Sequence, residues 1–559
     1  MTMIMTAVAL ILLAGILSWS SGNARLSARS NAYTRALAAA EAATEKVNSR
    51  MSSDYLNGGE VQVVANLSSY RTMVPTGSDS SYWTNWQFSD AQGNIGSTYV
   101  QQGSVSNFSV LTGAYAGLTG FASTYTVVSD AQETNDIQNV VAGVLEAIQL
   151  TRIPIFQFAM YSSGEMEVSC GKPFTVNGPV HSNGQLYVEP DNALTFLSAV
   201  TAVGQVLFQR DPLDTRGAPG GTVTYHVPPR SGQPALTLPI GTTNTPQAVR
   251  EIIEPPPPLE DPTSPIGRER YINQCDLIVR VVNTNIFVYG GYFNFWAPNV
   301  PSNQVTLFIS TNASFTDARE HMTIRPIDIN VAAFVAWCTS TNSTNVNLRS
   351  ILGRDIDSIY VWDQRTLPAG SLGAVRMVNG AQLPPLGLTV ATGQPMYVLG
   401  NYNQPVTTNL GTANVSTTLP ASLCADAITF LSTAWTDGNS TSALTSRLAA
   451  ATTVNAAILA GEMDTTAGQY SGGMENFPRF LESWSSATNT YNGSMVKMFP
   501  SLYATNVWGQ TNVYNPPYRN WTYDTNFNIP TSLPPLTPSL QVVSRSQWAA
   551  LAPNQTSAP

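Results

Sequence analysis

Few residues in this chain have the types and spacing that chemistry needs. A nucleophilic serine wants a tight turn with glycine on both sides and a histidine base in reach. The nearest approach, Gln469-Tyr470-Ser471-Gly472-Gly473-Met474, lacks the preceding glycine. His181, His226 and His321 lie far apart, and Glu320-His321 is an isolated dipeptide rather than the two-histidine helical turn of a zinc hydrolase. Cys170-Gly171-Lys172-Pro173 follows Gly164 at the wrong spacing for a phosphate-cradling loop. Asp355 with Asp357, and Asp437 with Asn439, offer oxygens only in pairs, well short of the roughly six to eight that calcium takes. The tyrosines and tryptophan of 511–523 have faces that stack on sugars, which makes surface glycans a candidate partner, although packing is the commoner use of such rings. No catalytic residue, cofactor or metal ligand is assigned, and the chain reads as a non-enzyme.

Composition points outside the cell. Charged residues are only 11% of the 559, against the roughly 25% usual for globular chains, while the hydrophobic fraction is an ordinary 43%. The surface must therefore be built from Ser, Thr, Asn and Gln. With net charge −9 and lysine only at 46, 172 and 497, no basic patch offers itself to phosphates, so nucleic acid is excluded as a partner. Cys170, Cys275, Cys338 and Cys424 are an even number. In an oxidising compartment they allow two disulfides in three pairings, and buried free thiols are the alternative.

Most of the chain reads as β. Residues 53–160 form an antiparallel headpiece of short strands, among them NFSVLTG from 107 to 113, with one helix, Gln138 to Gln149, whose apolar spacing is helical. A repeat follows: at a period of 20, Gly164, Gly184 and Gly204 share a column, as do Met166, Leu186 and Val206, and Val168, Val188 and Phe208. Such a period suits a short β-solenoid of about three 20-residue coils over 161–208, in which Val188 points inward and Gln185 outward; a β-meander is the alternative. Residues 209–265 are a Pro/Gly-rich connector, stiff around Pro255 to Pro258. Then come a β-rich domain over 266–420, opening with strands through Trp296, an α+β segment over 421–510 with helical patterns at 421–435, 442–461 and 476–486, and an aromatic and Pro-rich C-terminal wrap over 511–559. The predicted class is α+β, mainly β.

All of this hangs from residues 1–52. Met1 to Trp19 is apolar and uncharged, with Val8, Leu12 and Ile16 at helical spacing, and the first charge is Arg25. From 24 to 51 the pattern turns amphipathic, with Leu26, Tyr33, Leu37, Ala40, Val47 and Met51 on one face. A plain membrane anchor and a secretory signal are competing readings; the signal would need a basic flank before it and small residues at a cleavage site after it.

This start resembles that of type IV pilin-like proteins. The stretch ARSNAYTRALAAAEAATEKV, with Ala-Ala-Glu-Ala at 39 to 42, is similar to the N-terminal helix of PilX-type members, and the charge-free beginning at Met1 looks like the end left when a leader is removed. The phrases VNGPVHSNGQLY, GLTVATGQPMYVLGNYN and NPPYRNWTYDTNF resemble signatures of large bacterial proteins with such a start. One departure is Met5, where these proteins usually carry Glu. The resemblance implies a structural subunit held in the inner membrane before assembly, then polymerised with copies of itself by pilus-type machinery into an extracellular filament. Val8, Leu12, Ile16, Leu26, Tyr33 and Leu37 would form its helical core. A minor pilin or pseudopilin at a filament tip, and a membrane-tethered carbohydrate-binding protein, are the alternatives. Gly15, Ser18, Ser20, Ser21 and Gly22 weaken the helix, and a break between Gly15 and Asn23 is expected in the assembled state.

Overall fold

The computed structural model describes residues 1–105, 109–111, 113–291 and 300–557. Parts of two expected strand segments, at 107–113 and at 291–296, lie outside the described residues. The chain divides into two compact units: Met1–Ser109 with Gly120–Arg152 and Gln541–Pro559, and Val110–Thr119 with Ile153–Leu540.

In the first unit a 64-residue helix, Thr2–Ala65, packs on an antiparallel sheet. Strong helix formers, ALAAAEAATEK above all, sustain its middle, and it continues past residue 52 where Tyr55 and Val63 are buried in the cluster shared with the sheet. It runs unbroken through Gly15 and Gly22 in this single chain, because neither glycine meets another part of the protein and each costs only about 1 kcal/mol. The departure from helical geometry is instead at Gly59, with φ 72°. The sheet is ordered Trp86–Ser89, Thr119–Glu133, Val141–Pro154, Ser539–Leu551, with Tyr99–Val105 also paired to the second of these.

Helix meets sheet in two apolar clusters. Ala36, Ala39, Ala40 and Ala43 lie against Trp86, Phe88, Ala131, Ala142 and Val144. Val47, Met51 and Tyr55 lie against Tyr125, Val127, Ile148 and Leu150. The run of alanines lets the backbones approach closely. The helix expected at Gln138 to Gln149 is instead the strand Val141–Pro154, hydrogen-bonded antiparallel to Thr119–Glu133. Both its faces are buried, since Leu145 turns away from the helix to a separate cluster with Ala91, Val128 and Leu551. A strand covered on both sides loses the alternation that would identify it.

The second unit is built of parallel ladders. Met160–Ser162, Val180–Ser182 and Val200–Ala202 lie side by side, as do Met166–Val168, Leu186–Val188 and Val206–Leu207. Phe174–Val176, Ala193–Phe196 and Thr222–Tyr225 form a third set, so this ladder continues into the Pro/Gly-rich stretch. Partners such as Met166, Leu186 and Val206 stand 20 residues apart. A Cβ on Gly184 would lie 2.8 Å from the backbone at 164–165, which is why glycine recurs there. Phe208 leaves the pattern: the strand ends at Leu207 and the ring is 57% exposed.

Beyond Gln274 the chain comes back toward its own start. Leu277–Val282, Ser358–Asp363, Leu388–Thr392, Ala421–Cys424, Ala457–Gly461 and Met495–Phe499 pair in parallel in that order, and the last pairs with Met160–Ser162. The helices expected at 421–435, 442–461 and 476–486 are therefore corrected to strands, including Ile428–Leu431, Thr452–Asn455 and Arg479–Phe480. Ala421 to Ser432 is buried at every position, so again no period marks the strand. Helices occur where only strands were expected, at Val331–Cys338 and Ser343–Leu352, with Asn330 and Asn342 as their capping residues.

Candidate functional site

One helix carries two different surfaces. Residues 1–31 are exposed without exception, and Ala32 is the first buried position. This free half is about 45 Å long at 1.5 Å per residue. Its apolar stretch to Trp19 spans about 27 Å, close to the roughly 30 Å of a bilayer's hydrocarbon. By length and composition it is apolar enough to cross a membrane. Val8, Leu12 and Ile16 are 50 to 62% exposed and Leu26 is 69% exposed, a row of large apolar side chains left uncovered by the described residues. Tyr33 is exposed, whereas Leu37 is half-buried against the alanine and Trp86 cluster and belongs to the docking half. Met5 is exposed, and no acidic residue precedes Glu41.

The docking half is locked by polar contacts as well as apolar ones. Asn48 donates to Glu146, whose carboxyl burial pushes up. Asp54 accepts from the Tyr70 hydroxyl at 2.7 Å and from Asn66 Nδ2 at 2.8 Å. Arg35 pairs with Glu133 at 2.9 Å, and Lys46 with Asp79 at 2.7 Å. Of these, Asn48 to Glu146 is the buried contact from helix to sheet, and because a buried polar group without a partner is costly it favours one register of helix on sheet. The outer half can then present its apolar row without distorting the unit that carries it.

Residues with chemical types are used structurally. Ser471 donates to Glu167 at 3.2 Å. Glu320 pairs with Arg479 and accepts the Thr505 and Asn506 amides, and neighbouring His321 sits at φ 55°. His181 is wholly buried, hydrogen-bonded to Thr201 and Asn183, and burial lowers its pKa to about 4. Asp355 faces Arg349, Asp357 faces Arg354, and Asp437 faces Arg376. Among the described residues no group of three or more His, Cys, Asp or Glu is placed to hold a metal ion. Cys170, Cys275, Cys338 and Cys424 are buried free thiols, so the bridges their even number allows are not made here; burial pushes Cys170 up to about 11. Trp521 and Tyr523 are buried, and the exposed Tyr518 ring is covered by Lys172 at 3.8 Å, which leaves little aromatic face for a sugar.

One feature has no counterpart in any local motif, a buried acidic cluster. Glu167 accepts from Thr465 at 2.6 Å, Glu189 from Arg216 at 3.1 Å, and Glu475 from the Ser169 amide at 3.0 Å. Burial, with Glu167 nearby, raises Glu189 to about 8; burial raises Glu475 to about 8 and Glu462 to about 7. The residues come from segments some 300 positions apart, and only the rarity of lysine, one of which is Lys497 beside Asp464, set any of them apart in the sequence.

No family model matches the chain, and none of the curated proteins does. Among solved structures it is similar to the competence-associated pilin ComZ from Thermus thermophilus, at 11% identity over 93% of this chain and 98% of that one, with a TM-score of 0.30. A likeness this slight assigns neither fold nor activity.

Proposed function

We propose that this chain is a pilin-like structural subunit, whose free helical half packs with the same segment of its neighbours to form the core of an extracellular filament. One observation carries the reading: a single helix whose first 31 residues are exposed and largely apolar, and whose next 24 carry the residues clamped to an antiparallel sheet. Burying each large side chain of the free half is worth roughly 1.5 to 3 kcal/mol against water. Before assembly lipid supplies that gain, so the move from inner membrane to filament is near neutral and is decided by packing and by pilus-type machinery. The body is read as a β-solenoid, supported by parallel registers 20 residues apart at Met166, Leu186 and Val206. Its role is display, without catalysis.

Electron microscopy of purified material tests the proposal. The unaltered chain should give fibres with many copies along their length. Leu12→Asp puts a charge into lipid or core at a cost of several kcal/mol and should abolish the fibres while the far-UV spectrum of the β-rich body is retained. Normal fibres from Leu12→Asp would sink the filament-core reading.

A further inference from the structure

In a chain so poor in charge, nearly every arginine is put to use. Arg35 pairs with Glu133, Arg250 with Asp426, and Arg376 with Asp328. Arg25 and Arg29 are different. Both are exposed, and neither has a hydrogen-bond or ion-pair partner among the described residues. They stand four apart on one continuous helix, so they share a face and repel each other, an arrangement that weakens a helix unless an anion lies between them. No carboxylate occurs anywhere in residues 1–40 to relieve it.

Their position says which anion. If the apolar stretch ending at Trp19 fills the hydrocarbon layer, Arg25 lies about 9 Å and Arg29 about 15 Å beyond it along the axis. Trp19 itself, 71% exposed, is the residue type that settles at the membrane interface. Helical side chains tilt toward the helix N-terminus, which here means back toward the lipid, and long arginine side chains use that tilt to reach headgroup level. We propose that Arg25 and Arg29 together form a clamp for the phosphate of an anionic phospholipid, which holds the subunit at a set depth in the bilayer before assembly. A guanidinium presents paired N–H donors that match phosphate oxygens, and two of them one helical turn apart can close on one headgroup. A carboxylate of a neighbouring copy is the competing anion. The helix offers none until Glu41, about 18 Å above Arg29, which favours the lipid.

The inference rests on the membrane-resident stage of the proposed function, and one experiment separates the two. The full chain in maltoside micelles is titrated with brominated phosphatidylglycerol or brominated phosphatidylcholine, and the part of the tryptophan quenching that disappears in Trp19→Phe reports lipid beside Trp19. At low salt the anionic lipid should be preferred by about 25-fold, roughly five-fold for each arginine. The preference should shrink toward one in 0.5 M salt and in Arg25→Gln/Arg29→Gln, while quenching by the zwitterionic lipid stays unchanged. Equal preference in the parent and the double variant overturns the clamp. No quenching by either lipid overturns the membrane reading itself. Loss of fibres by the double variant with its lipid preference intact reassigns the pair to a neighbouring copy.

Discussion

Val188→Asp is a demanding test of the parallel ladders. Val188 is wholly buried and registers with Val168. An aspartate there must either remain charged in an apolar site or take up a proton. With a free-chain pKa of about 3.9 and 1.36 kcal/mol per unit, protonation at pH 7 costs about 4 kcal/mol. Losing the valine's burial adds about 1.5 kcal/mol, for a total of about 5 to 6. The proton component depends on pH: it grows as pH rises above 3.9, and at pH 4 only about 0.5 kcal/mol of it is left. Urea unfolding of the full chain in micelles should therefore show a large destabilisation at pH 7 that shrinks to about 2 kcal/mol at pH 4. Thr175→Asp is the control, since Thr175 occupies the exposed middle position of Phe174–Val176 and should shift stability by no more than about 0.5 kcal/mol. Gln185 does not serve, because its side-chain oxygen accepts the Gln205 amide at 2.5 Å. Equal effects of the two aspartates, or a pH-independent loss for Val188→Asp, would refute the reasoning.

The buried acids predict a second pH effect. Glu189 and Glu475 titrate near 8 in the folded chain against an ordinary 4.5, so the folded state keeps protons that the unfolded chain releases. That contribution is complete below 4.5 and is lost as pH climbs toward 8, so the urea midpoint should fall between about pH 4.5 and 8 and level off above that. Combining Glu189→Gln with Glu475→Gln should flatten the fall; an unaltered slope would assign it to other groups. Gly473 has φ 68°, and a Cβ there would run into the Tyr470 hydroxyl and the Glu475 carboxylate. Gly473→Ala should cost about 1 to 3 kcal/mol for the backbone alone and more for the displaced side chains, read as a lowered melting temperature; unchanged melting would mean the 472–475 turn rearranges freely.

What could be read from the residues alone was whatever repeats locally. The free helical half was legible because some 19 residues without a charge have few other uses, and the 20-residue columns at Gly164, Gly184 and Gly204 were legible because identical surroundings recur at each step. The capping asparagines at 330 and 342 are equally local signals, each marking the start of a helix.

The remaining elements were set by packing between distant segments. Val141–Pro154 and Ala421–Cys424 are strands because their neighbours cover both faces, which removes the alternation a sequence reading depends on. Leu37 has the spacing of Leu26 and Tyr33, yet it is withdrawn from the free face by Trp86 and Val144, whose arrival depends on a sheet formed by residues as distant as 551. The closing of Met495–Phe499 onto Met160–Ser162, and the meeting of Glu167 with Thr465 and Ser471, join positions some 300 apart. A periodic pattern is set by each residue's relation to its near neighbours along the chain. Contacts of this range are set by which surfaces remain to be buried once those local elements exist.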